Sequence, residues 1–255
     1  EETAQPVTDD AAVAEAEEAV ETAADEAAEE TVEEALEVVE ESAAVEEDTG
    51  DEPIVLAMAE ANEAPPEWRF QEGQDFRRLV PTQPTVGGAG KIEVASLFQY
   101  GCIHCYNLEP AINSWAAEAD QGVRYVRIPV VFNRVGQLHA QMFYAAELLA
   151  SNGTLAEPER FHEAVFVEFH RRNNRLVSKD AIARVFTRFG VPADEFEKAW
   201  GSFYVNQKIN TAMDLTRRYG VASTPSVVVN GKYVVQNVPE LLEIIDELLV
   251  REGLR

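Results

Sequence analysis

The chain has 255 residues with 46 Asp or Glu against 21 Lys or Arg, a formal net charge of −25. Residues 1–66 hold 24 of the acids and no Lys or Arg, which leaves 22 acids and 21 bases in the rest. A near-neutral body without a basic stripe excludes nucleic acid as a partner, because phosphate binding needs clustered Lys and Arg. No apolar run reaches the roughly 20 residues of a membrane-spanning helix.

Residues 1–66 are low-complexity, built mostly of Ala, Glu, Val and Thr without an aromatic residue. Ala and Glu favour helix, but Glu pairs at i,i+4 repel and no Lys compensates them. Ala and Val bury too little surface to offset ordering entropy. The expectation is an extended, solvated acidic tail, disordered or partly helical; a helical spacer or partner-binding helix over residues 10–47 is the alternative. Pro65 and Pro66 end it. The chain opens on Glu1 with no basic segment ahead of an apolar stretch, so the expectation is a mature form whose export signal has been removed.

From Trp68 the composition becomes that of a packed domain. Residues 68–80 (WRFQEGQDFRRLV) suggest a short strand and turn, and residues 81–91 (PTQPTVGGAGK) a Pro/Gly linker. Residues 91–100 (KIEVASLFQY) form a largely apolar run that predicts a buried strand. Gly101 breaks it, and residues 102–119 carry helical spacing at Leu108, Ile112 and Trp115, with Pro110 expected to kink the helix. Residues 122–132 (GVRYVRIPVVF) predict a second buried strand.

Residues 135–218 show only helical patterns, punctuated at Asn152-Gly153, Asn173-Asn174, Gly190 and Pro192, with Ser178 as an N-cap. Residues 225–235 (PSVVVNGKYVV) read as a hairpin turning at Asn230-Gly231. An amphipathic helix, PELLEIIDELLV, follows. The order strand–helix–strand, helices, strand–turn–strand–helix implies an α/β chain: a mixed sheet with helices on its faces, interrupted by a helical insertion.

The two cysteines are Cys102 and Cys105. A zinc site would need a further Cys pair or a suitably spaced His pair, and His139, His162 and His170 fall in predicted helices at the wrong spacings. A structural disulfide across so short a loop would constrain the unfolded chain little. A redox-active dithiol fits better. Cys-x-x-Cys between a buried strand and a helix sets the first sulfur among unpaired helix amides, which favour a thiolate. It leaves the second sulfur one turn in, protected and placed to resolve a mixed disulfide. Thr224-Pro225, directly before the apolar run at Val227–Val229, is then expected to be a cis-proline loop facing the cysteines. There the backbone of Thr224 could pair with an extended substrate. The competing reading is a trans proline at the start of a strand.

Residues 98–110 (FQYGCIHCYNLEP), the helical block and residues 220–235 (GVASTPSVVVNGKYVV) together resemble the DsbA family of bacterial periplasmic disulfide-forming oxidoreductases. Residues 68–85 also resemble the segment before that family's first core strand. The resemblance runs from Trp68 to the C-terminus and implies a thioredoxin fold with an inserted helical domain. Its first part would be residues 67–134, the insertion 135–210, and the second part 211–255. It implies Cys102 as attacking thiolate, Cys105 as resolving thiol, His104 as a stabiliser of the thiolate, and Thr224 and Pro225 as substrate-binding.

By the same resemblance the substrates are cysteine-containing unfolded or newly exported polypeptides, and the re-oxidant is a quinone-linked membrane protein of the DsbB type. A periplasmic monomer without metal or other cofactor is expected, with membrane tethering left open. Arg127 matches a basic position on the neighbouring strand. Two residues depart from the family. Ile103 stands where proline is usual, and Ser96 where a buried acidic residue often relays protons, so the redox potential does not carry over. A reductase or isomerase on the same fold and a chaperone-like polypeptide-binding module remain as alternatives. If the acidic tail is only a spacer, a chain lacking residues 1–64 keeps full exchange activity and an unchanged Tm; a large loss in either would show that the tail docks.

Overall fold

The computed structural model describes residues 67–254; the expectations for the acidic tail lie outside them. Twelve elements follow in chain order: β1 (Arg77–Arg78), β2 (Ile92–Phe98), α1 (Ile103–Glu118), β3 (Val123–Pro129), α2 (Arg134–Ser151), α3 (Pro158–His170), α4 (Lys179–Arg188), α5 (Ala193–Trp200), α6 (Phe203–Arg218), β4 (Ser226–Val229), β5 (Tyr233–Gln236) and α7 (Leu241–Arg251). The strands form one sheet in the order β1-β5-β4-β2-β3. β2 runs parallel to β3, joined through α1, and antiparallel to β4.

The apolar strand runs serve two cores. In β2, Val94 faces one hydrophobic cluster while Ala95 and Leu97 face the other; in β4, Val227 and Val229 oppose Val228 in the same way. Strand alternation thus sends successive residues of a continuous apolar run to opposite faces. One face packs on α7 and on Ile112 of α1, the other on α2, α3 and α6. The five helices α2–α6 all lie between β3 and β4 in the chain, so β2 takes one sheet neighbour from each side of the helical block.

Local chemistry sets several boundaries. Asn133, Ser178 and Ser202 cap α2, α4 and α6 with side-chain oxygens that accept amide N–H groups. α1 runs unbroken through Pro110. Asn230 and Gly231 have φ of 52° and 62°, as a two-residue hairpin turn between twisted strands requires. At Gly231 a Cβ would also lie 2.1 Å from the Gln83 carbonyl, so the loop packed over the turn leaves room for nothing larger.

The Pro/Gly segment is no loose linker. Leu79 N–H donates to Lys232 O, Gln83 N–H to Gly231 O, and the Tyr219 hydroxyl to Pro84 O. Glu93, only 1% exposed, accepts the amides of Val86 at 2.9 Å and Gly87 at 2.7 Å, with Arg124 3.9 Å away. β2 therefore carries a buried carboxylate whose partners are the loop's own backbone. The expected short strand near residues 68–80 shrinks to two residues, because only Arg77 and Arg78 pair with β5. Glu93→Ala should cost about 2–3 kcal/mol in urea denaturation, since it removes the two charge-assisted hydrogen bonds that hold the loop to β2, while exchange chemistry at the cysteines stays intact.

Candidate active site

Cys102 ends the turn after β2 and is the N-cap of α1, with φ −89° and ψ 118°. The turn is closed by Cys102 N–H donating to Gln99 O at 3.0 Å. Cys102 Sγ takes the place of a capping oxygen: it accepts the Cys105 amide N–H at 3.4 Å. Both cysteines are thiols, Cys102 half-buried and Cys105 buried, and the Cys102 S–H donates to the Thr224 carbonyl at 3.2 Å.

These contacts separate the two sulfurs chemically. The Cys102 thiol is held well below the ordinary value, at about 5, first by a hydrogen bond from the Cys105 side chain. Burial opposes the shift, while the Thr224 side chain and the amides of Cys105 and His104 add to it. The Cys105 thiol is pushed far up, by that same bond to Cys102 and by burial. At neutral pH this arrangement holds a thiolate on the accessible sulfur and a proton on the protected one, the division that dithiol exchange needs.

The remaining residues singled out from sequence fall around this pair. Ile103 is 49% exposed and lies beside the sulfur. His104 is exposed on the first turn of α1, where its backbone amide is among the groups favouring the Cys102 thiolate. The Thr224–Pro225 peptide bond is cis, with Pro225 buried just ahead of β4 and Thr224 half-buried against Cys102. Ser96 is buried in β2, opposite Arg127 of β3 and Val227 of β4. Among the described residues no three His, Cys, Asp or Glu side chains converge to hold a metal ion.

Arg127 lies under the far side of α1. Its guanidinium donates to Asn113 Oδ1 at 2.7 Å and to both carboxylate oxygens of Glu159 on α3, and approaches Glu109 of α1 at 3.2 Å. Burial raises the Glu109 carboxyl although Arg127 pulls it down. At Glu159 burial acts the same way but the Arg127 bond prevails, and the carboxyl is lowered.

Residues 93–246 match the DSBA-like thioredoxin domain. The chain is 37% identical over 154 residues to the thiol:disulfide interchange protein DsbA of Azotobacter vinelandii, covering 60% of this chain and 69% of that one. With the DsbA of Burkholderia cepacia it shares 31% identity over 201 residues, covering 77% and 90%. The crystal structure of Pseudomonas aeruginosa DsbA superposes with a TM-score of 0.65 at 32% identity, over 72% of this chain and 94% of that one. The chain belongs to the DsbA family.

It is a thiol–disulfide oxidoreductase with the thioredoxin fold of that family. Sequence reasoning did not find the partners of the turn that leads into Cys102. Tyr100, 1% exposed, bonds through its hydroxyl to His162 Nδ1 and through its carbonyl to His170 Nε2. The available signal was the stripe Glu159, His162, Phe166, Phe169 and His170, which recurs at helical spacing along α3.

Two measurements check the thiol assignment. The ultraviolet thiolate absorbance of the reduced protein should titrate near pH 5, where Cys102 ionises, and not near the ordinary thiol value of about 8.5. A depressed folded-state value means that the thiolate stabilises the dithiol form above the ordinary thiol range, and that this contribution is lost as pH falls through about 5. The reduced form should therefore gain on the disulfide form in urea denaturation as pH rises across that window. A difference independent of pH would contradict the assignment.

Proposed function

We propose that this DsbA-family protein forms disulfides in newly exported polypeptides, working in the periplasm through Cys102-Ile103-His104-Cys105. The observation that carries the reading is the contrast between the two sulfurs: Cys102 stabilised as a thiolate, Cys105 kept protonated. Interactions that stabilise the reduced form make the disulfide form a strong oxidant, as is known for DsbA itself.

In the disulfide form, a substrate thiolate attacks Cys102 Sγ. A substrate–Cys102 disulfide forms, the Cys102–Cys105 bond breaks, and the electron pair leaves on Cys105, which takes up a proton. A second substrate thiolate then attacks its partner sulfur. The substrate disulfide forms, and Cys102 departs as the stable thiolate. Two electrons pass from the substrate dithiol to the enzyme dithiol. A quinone-linked membrane partner of the DsbB type then removes them. The backbone of Thr224, in contact with Cys102 Sγ, is suited to hold an extended substrate segment against the sulfur by strand-like pairing. His104, exposed on the first turn of α1, is suited to support the thiolate. We read residues 67–134 and 211–255 as the thioredoxin domain and 135–210 as its helical insertion. No helix among the described residues is long and apolar enough to cross a membrane.

The deciding experiment is the equilibrium of the Cys102–Cys105 pair with glutathione. A potential near the roughly −120 mV of DsbA supports an oxidase; one near thioredoxin's roughly −270 mV assigns the chain to reduction or isomerisation instead. Cys102→Ser should abolish oxidation of a reduced, unfolded substrate protein, and Cys105→Ser should accumulate a mixed disulfide with it. Binding of that substrate surviving loss of both cysteines, with no oxidation by the wild type, would favour the chaperone-like reading.

A further inference from the structure

One residue of α3 touches the chain on both sides of Cys102. His170 Nε2 lies 2.8 Å from the Tyr100 carbonyl, and because a carbonyl only accepts, the ring nitrogen must carry the proton. The same imidazole stacks on Tyr106, with ring centroids 5.0 Å apart and planes 16° from parallel. Tyr106 N–H in turn donates to the Cys102 carbonyl at 3.1 Å. Between the two anchors lies Gly101, where a Cβ would come within 3.1 Å of the Phe169 ring. Among the described residues His170 shares no hydrogen bond with either sulfur, so whatever it does for them passes through the backbone.

We propose that His170 is a positioning residue for Cys102: it fixes the Tyr100–Gly101 peptide so that the sulfur stays over the first amides of α1. The inference rests on the reading of Cys102 as the reacting thiolate. Its physical basis is the freedom of glycine. Gly101 has no Cβ to restrict the adjoining peptide planes, so without the His170 donor the Tyr100 carbonyl is left half-buried and unpaired. The peptide can then rotate to find another partner, and the alignment of Sγ with the Cys105 amide, 3.4 Å away, loosens. Tyr100 itself stays in place, since its hydroxyl is held by His162 and its ring by Phe98 and Phe166. The effect is thus confined to the peptide that leads into Cys102.

The test uses the full chain with three substitutions. His170→Phe keeps a ring against Tyr106 but removes the donor. His170→Gln carries an amide N–H to the position of Nε2, and His170→Asn carries one only as far as Nδ1. The Phe and Asn variants should raise the thiolate midpoint of Cys102 by about one pH unit. They should also move the glutathione equilibrium about tenfold toward the enzyme's disulfide form, equivalent to about 30 mV. The Gln variant should stay within twofold of wild type, and Tm, recorded alongside, should not track these changes. The proposal is overturned if Phe and Asn also stay within twofold, or if Gln moves as far as they do. Should the Phe variant fail to fold, the Gln–Asn comparison decides alone. A wild-type midpoint in the ordinary thiol range would sink the thiolate reading and this inference with it; an acidic wild type with unmoved variants would sink only the inference.

Discussion

The amides that open α1 have no helical partner, and one of them points at the sulfur of Cys102. An N-cap is ordinarily an oxygen. In the proposed function, setting sulfur there joins capping to reactivity, because the charge that satisfies the helix end is also the nucleophile and the leaving group. Much of the surrounding structure keeps that atom where it is. β2 must end at Phe98, the turn must close from Cys102 to Gln99, and the loop before β4 must bring Thr224 against the other side of the sulfur.

α3 supplies the backing. One face of it presents Glu159 to Arg127, His162 and His170 to Tyr100, and Phe166 and Phe169 to the turn and to Tyr106. Arg127 completes the arrangement by bonding α1 and α3 from β3. A largely buried guanidinium among two carboxylates returns little net stability once its desolvation is counted. Its fixed fork of donors sets directions, however, and three elements meet at one defined spacing.

Much of this architecture was legible in the chain itself. The apolar runs at Ile92–Phe98 and Val123–Pro129, the Asn230-Gly231 turn and the helical punctuation follow from local chemistry. Cys102 and Cys105 stood out because a strand-to-helix junction gives that spacing a purpose. What could not be read depends on partners distant in sequence. Arg77 and Arg78 have no strand propensity of their own and extend only because β5 lies alongside. Glu93 reads as an interruption in an apolar strand until the amides of Val86 and Gly87 are seen around it. Tyr100 and His170 are 70 positions apart, and no periodicity links them. Ser96 was noted as a missing acid; Arg127, opposite it on β3, is instead met by carboxylates from the helices, Glu109 of α1 and Glu159 of α3.

The contact between Cys102 and Thr224 spans 122 positions of chain. As a polypeptide grows from its N-terminus, both cysteines emerge long before the loop that completes their surroundings, and β2 must wait for β4 across the whole helical block. Contacts of such separation form late, because the intervening loop has to be closed first. α3 is synthesised in the interval and can seat the turn around Tyr100 beforehand. The order of synthesis therefore sets the thiol pair against its backing helix first and adds the Thr224 side last.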